Sequence, residues 1–120
     1  MKYMLLLYDN PDTREAFFGP ESEALMGEVE AVLEELRQSG ELLSTAPLAD
    51  PVNTKTVRAR DGVPVITDGP LAETKEHFGG YLMVDCETID RAVEIAARWP
   101  SSRFAPLEVR PLMDVGGSEE

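Results

Sequence analysis

The densest run of groups able to move protons or hold charge is Asp68-Gly69-Pro70-Leu71-Ala72-Glu73-Thr74-Lys75-Glu76-His77-Phe78-Gly79-Gly80-Tyr81. Asp68, Glu73 and Glu76 are carboxylates that could serve as general acid or base, provided partial burial raises a pKa. Glu73 and Glu76 would share a face if the segment is helical. Lys75 would be their electrostatic partner. His77 is the only histidine of the chain, and its ordinary pKa is the one closest to neutral. Each residue also has a plainer reading. Asp-Gly-Pro makes turns in which the aspartate bonds nearby backbone N–H groups. A short charged run usually marks a solvated loop. A lone histidine beside Phe78 serves structure as readily as catalysis.

Two further residues are candidates for substrate binding. Arg110 shares a strand face with Glu108, opposite Leu107 and Val109. It would hold an anion if that face looks into a cavity, and would form an ordinary edge-strand pair if it looks outward. Tyr8 ends the first apolar run and is the aromatic candidate.

Other chemistries lack their residues. The chain has none of the Cys/His clusters of a zinc site, and no carboxylates at calcium-loop spacing. Gly79-Gly80 is too little for a phosphate-binding loop and precedes a strand, so no cofactor is expected. Cys86 is the only cysteine, which precludes an internal disulfide and reads as a buried, inert thiol. The net charge of −12 argues against nucleic acid and anionic membrane partners and favours solubility. No run approaches the ~20 apolar residues of a membrane helix. The opening apolar run meets Asp9 with no cleavage site, so it reads as a strand and not a signal peptide, and a cytoplasmic location is expected.

These residues must be carried by about one domain's worth of chain, 120 residues of which 42% are hydrophobic. The domain is expected over residues 1–112, with an acidic tail from 113 to 120. Tyr3 to Tyr8 is a continuous apolar run without helical spacing, as in a strand buried on both faces. Asp12 with Glu15 suggests a capping box for a short helical turn carrying Phe17 and Phe18. Gly19-Pro20 is expected to open a long helix whose stripe is Leu25, Val29, Val32, Leu33 and Leu36, stopped by Gly40. Glu41 to Pro47 reads as a strand. Thr56 to Arg60 and Val63 to Thr67 flank Asp61-Gly62, the signature of a type I′ hairpin. Counting from that turn places Ala59 opposite Pro64 and Lys55 opposite Asp68, and Pro64 requires an edge strand or bulge. Gly80 to Asp85 is a second strand apolar on both faces. Thr88 caps a helix with the stripe Ile89, Ala92, Val93, Ala96 and Ala97, ended by Pro100. Leu107 to Leu112 is the last strand.

This order predicts an α+β fold, a ferredoxin-like βαββαβ sheet with an inserted hairpin. Its two doubly apolar strands belong in the centre. Both helices would pack on one sheet face, leaving the other apolar. A second copy of the sheet is the simplest cover, giving a homodimer; the alternative is the hairpin folding over that face.

The Asp68-to-Tyr81 run resembles the DGPF branch of the YCII-related family, with Leu71 in place of the namesake phenylalanine. Met1 to Tyr8, Ala96-Ala97-Arg98 with Pro100, and Glu108-Val109-Arg110-Pro111 are similar to that family's opening and closing segments. The resemblance implies a dimeric α+β barrel and kinship with small enzymes such as muconolactone isomerase and a chlorohydroxyhydroquinone dehydrochlorinase. Enzymatic relatives are associated with a histidine and aspartate pair, whereas His77 stands in a different context. DGPF members are also often encoded beside, or fused to, extracytoplasmic-function sigma factors, which implies a regulatory alternative with a sigma-factor partner. The expected function is therefore a small-molecule enzyme or binding protein. Its cleft would lie between the sheet, the loop Asp9 to Gly19 and the segment Asp68 to His77, and would take a small anionic or aromatic ligand.

Overall fold

The computed structural model describes residues 1–71 and 75–113. Among these residues six strands and three α-helices follow in the order β1 (Lys2–Asp9), α1 (Pro11–Phe18), α2 (Ser22–Ser39), β2 (Leu42–Pro47), β3 (Lys55–Arg60), β4 (Val63–Asp68), β5 (His77–Asp85), α3 (Ile89–Arg98) and β6 (Leu107–Pro111). Four strands form an antiparallel sheet in the order β2-β5-β1-β6. This is the ferredoxin-like arrangement, with the doubly apolar strands β1 and β5 at its centre. The tail expected from residue 113 lies outside the described residues apart from Met113.

Alternation along β1 and β5 sorts their side chains onto two faces. Tyr3, Leu5, Leu82 and Val84 point to one face and join Val29, Val32, Leu33 and Leu36 of α2 with Ala92, Ile95 and Ala96 of α3 in one core. All five residues of the α2 stripe are buried. The α3 stripe differs from expectation. Ile89 and Val93 are about half exposed, and Ile95 is fully buried between Ala92 and Ala96. The small alanines let the helix lie close to the sheet, which narrows its buried stripe to positions i, i+3 and i+4. Cys86 is buried as expected, and burial pushes its thiol pKa up.

Two helix starts are corrected. The cap of α1 is Asn10, not Asp12. The Asn10 side chain accepts from Thr13 N at 2.9 Å, while Thr13 Oγ1 accepts from Asn10 N at 2.8 Å. Pro11 sits at the first helical position, where its fixed φ suits the helix and its missing N–H costs nothing. The long helix begins at Ser22, with Glu21 at its N-cap, so Gly19-Pro20 forms the preceding turn. Its stop is as expected: Gly40 adopts φ +80°, and the Gly40 and Glu41 N–H groups donate back to Arg37 and Leu36 carbonyls. Thr88 caps α3 by accepting from Arg91 N.

The hairpin forms a separate two-stranded sheet with the expected register, Lys55 opposite Asp68 and Ala59 opposite Pro64. Asp61 and Gly62 both have positive φ, 51° and 78°, as a type I′ turn requires. Both strands are edges, which accommodates Pro64. The hairpin does not fold over the sheet. Every residue of β3 and β4 except Thr56 is exposed. The radius of gyration is 16.4 Å, against about 14 Å for a compact domain of this length.

The second face of the sheet is therefore open within one chain. Cross-strand partners place Met4, Leu6, Tyr8, Phe78, Tyr81, Met83, Glu108 and Arg110 on it. One irregularity interrupts the central pairing. Leu7 pairs with Gly80 but Tyr8 pairs with Phe78, so Gly79 is an extra residue in β5, a β-bulge.

Candidate functional site

A cleft of about 410 Å³ opens where β1 ends and β5 begins, lined by Asp9, Asn10, Pro11, Arg14, Asp50, Pro51, Lys75 and His77. Its size falls in the range of small-molecule sites. Its walls are the end of β1, the first turn of α1, the turn after β2 and the start of β5. Of the three expected walls, the sheet contributes Asp9 and His77 at its end and the loop from Asp9 contributes Asn10, Pro11 and Arg14, whereas the segment Asp68 to His77 contributes Lys75 and His77 but not Asp68. A further wall, the turn at Asp50-Pro51, carried no sequence signal as a site.

Asp9 and His77 are paired across the two central strands. The Asp9 carboxyl is partly buried. Desolvation raises its pKa from the ordinary 3.8, opposed by the positive charge of Arg14 and by His77. The carboxylate lies against Gly79, where a side chain would collide with it. The bulge glycine thus provides the room that Asp9 occupies.

Arg14 projects from the first turns of α1, which Asn10 fixes. The buried Asn10 side chain also donates to Phe104 O at 2.8 Å and reaches Glu76 Oε2 at 3.5 Å. The Arg14 guanidinium donates to Asp50 Oδ2 at 2.5 Å and lies 5.9 Å from the Phe18 ring centroid. Asp50 is held below its ordinary pKa, first by the Val52 N–H it accepts and then by Arg14. The cleft therefore has one firmly ionised acid, Asp50, locking an arginine in place. It has a second acid, Asp9, held nearer its neutral form beside an imidazole. Lys75 adds a solvated positive charge at the rim.

The expected site residues divide among three places. His77 and Lys75 line the cleft, with Glu76 beside it at Asn10. Tyr8 and Arg110 lie on the open sheet face. There the Tyr8 hydroxyl donates to Glu108 Oε1 at 2.5 Å, which holds the phenol proton and raises its pKa. The Tyr8 ring meets Phe78 edge-on with centroids 6.0 Å apart. Asp68 stands on the hairpin, its side chain 83% exposed and ion-paired with Lys55. Glu73 lies outside the described residues. Asp9, Arg14 and Asp50 were not singled out in the sequence. A signal for Asp9 was available, since an acid ending a central strand sits at a sheet mouth. For Arg14 and Asp50, 36 residues apart, only the fold reveals the pairing.

Among the described residues, no group of three or more His, Cys, Asp or Glu side chains is arranged to hold a metal ion, and no helix is long and apolar enough to cross a membrane. The chain is similar over its full length to a solved structure of 5-chloro-2-hydroxyhydroquinone dehydrochlorinase (TftG) from Burkholderia phenoliruptrix AC1100 in complex with 2,5-dihydroxybenzoquinone. The TM-score is 0.57 at 16% identity, covering 99% of this chain and 100% of that one. At that identity the likeness shows the α+β fold alone. An uncharacterised Rhizobium meliloti (strain 1021) protein, R00369, is 32% identical over 114 residues, covering 93% of this chain and 92% of the relative. The model of the YCII-related domain matches residues 1–115. On that match, spanning both the central strands and the cleft between them, the chain belongs to the YCII-related family.

Proposed function

We propose that this protein is a small enzyme that moves a proton on a hydroxylated, anionic or quinone-like ring bound in the Asp9–His77 cleft. The observation that carries this is the pair itself: a carboxyl desolvated over Gly79 and raised in pKa, beside the chain's only imidazole. Such a pair relays a proton between substrate carbon and oxygen without a further co-reactant. Arg14, braced by Asp50, and Lys75 supply positive charge for a substrate oxyanion. The dehydrochlorinase neighbour, whose reaction removes HCl and whose complex holds a dihydroxyquinone, lends the substrate class.

The open sheet face supports a homodimer. Met4, Leu6, Tyr81 and Met83 present apolar surface there, and a second copy would cover it. Sedimentation at micromolar concentration giving the mass of one chain overturns this part.

The catalytic reading is tested with 2,5-dihydroxybenzoquinone in deuterated buffer. Wild-type protein is expected to accelerate exchange of the ring hydrogens, and Asp9→Asn and His77→Gln each to abolish the acceleration. Exchange at the buffer rate with wild type, or unchanged exchange with both variants, overturns the proposal.

A further inference from the structure

The hairpin β3-β4 is built as a surface with nothing on it. One of its faces carries Val57, Ala59, Pro64 and Ile66, by the pairings Val57–Ile66 and Ala59–Pro64. Val57 is 61% exposed and Ile66 63%. The other face carries Arg58 and Arg60 with Val63 and Val65. A two-stranded ribbon with both faces in water has little to hold it folded. Apolar side chains at this exposure, grouped on one ribbon face, mark a contact surface.

The charges narrow what that surface meets. The chain has net charge −12, and Arg14, Arg37, Lys55, Arg91, Arg98 and Arg103 are all ion-paired with carboxylates. Among the described residues, Arg58 and Arg60 on the hairpin have no such partner, and neither do Lys2, Lys75 and Arg110 elsewhere in the chain. The hairpin thus offers two unneutralised guanidiniums and an apolar strip. The rest of the same chain offers surplus carboxylate and an uncovered apolar sheet face. A second copy supplies both complements, and the hairpin does not reach its own sheet. We infer that the hairpin is a docking arm that clasps a second copy of this chain, its Val57–Ile66 strip walling that copy's open sheet face. This rests on the dimer reading above and adds which segment holds the dimer together.

The test uses Val57→Lys with Ile66→Lys in the full chain, followed by sedimentation velocity over a dilution series. Both positions are exposed, so the helix-covered core is untouched. The expected result is a wild-type dimer and a variant whose dimer dissociation constant is raised by about a hundredfold, as when central interface anchors are lost. A wild-type dimer with the variant dimer equally tight overturns the arm while leaving the dimer reading intact. A monomeric wild type overturns both. If the variant does not fold, hydrogen exchange on wild type decides. The arm requires amides of residues 55–68 to gain protection as dimer forms, and unchanged exchange there overturns it.

Discussion

A methyl group placed on Gly79 would come within 2.5 Å of Asp9 Cγ. The obstacle is the far end of a short side chain, so the protein can yield by swinging the carboxylate away. Gly79→Ala is therefore expected to cost little stability, about 1 kcal/mol or less, while removing acceleration of ring-hydrogen exchange. Gly80 is the contrast. A methyl there would meet the Ala46 carbonyl at 2.9 Å and Pro47 Cα at 3.3 Å, which are backbone atoms. Gly80→Ala should cost about 1–3 kcal/mol, read as a lower urea midpoint at unchanged slope.

Asp9 titrates in the direction that penalises its ionised form in the fold. A carboxyl with a raised folded pKa contributes most below its unfolded pKa, and that contribution is lost as pH rises through the folded value. Asp9→Asn should accordingly raise the melting temperature at pH 7 and leave it nearly unchanged at pH 3. Equal shifts at both values would show that desolvation is not the governing effect.

Glu41 behaves in the opposite sense. Its two oxygens accept from Arg91 at 2.9 and 2.8 Å, joining the start of β2 to α3. That pairing, led by the Arg91 hydrogen bonds, holds its pKa at about 2 instead of 4.5. The stability is present above the unfolded pKa and disappears between about pH 4.5 and pH 2. Glu41→Gln should cost about 1 kcal/mol at pH 7 once solvent screening is allowed for, and nothing at pH 2. Chemical denaturation at the two pH values checks this.

Asn10 does three things at once: it caps α1, donates to Phe104 O and touches Glu76. Asn10→Ala removes the cap and takes the donor from the partly buried Phe104 carbonyl, and should destabilise by about 2 kcal/mol. Since α1 carries Arg14, the variant should also bind 2,5-dihydroxybenzoquinone more weakly, measured by calorimetry.

Asp68→Asn separates the hairpin from the cleft. Its pair with Lys55 is solvent-exposed, so the change should stay within about 1 kcal/mol and leave ring-hydrogen exchange at the wild-type rate. Loss of exchange would bring Asp68 into the site.

The parts of this fold that were legible in the sequence are those fixed by local chemistry. The α2 stripe, the Asp61-Gly62 turn and the Lys55–Asp68 register each depend on residues close together in the chain. The central places of β1 and β5 followed from their unbroken apolar runs. The cap at Asn10 was hidden because Asp12 and Glu15 also fit a capping pattern, and Pro11 reads equally as a strand end or a helix start. Ile95 was hidden because the stripe was drawn through Ile89 and Val93, whereas the alanines set the contact. The site was the least legible. His77 and Lys75 stood out by type, but Asp9 gains its partner only through pairing with a strand nearly seventy residues away.

The single extra residue at Gly79 also acts as a phase shift. From Asp85 back to Gly80, alternation assigns even-numbered positions to the core side. Continued unbroken, that count would turn Phe78 toward the helices and His77 onto the open face. The inserted residue inverts the parity, so Phe78 joins Tyr8 outside and His77 arrives opposite Asp9. The imidazole is delivered to the cleft by a miscount of one: were residue 79 to take a regular place opposite Tyr8, Phe78 would stand opposite Asp9 and present a phenyl ring where the chain now presents a proton carrier.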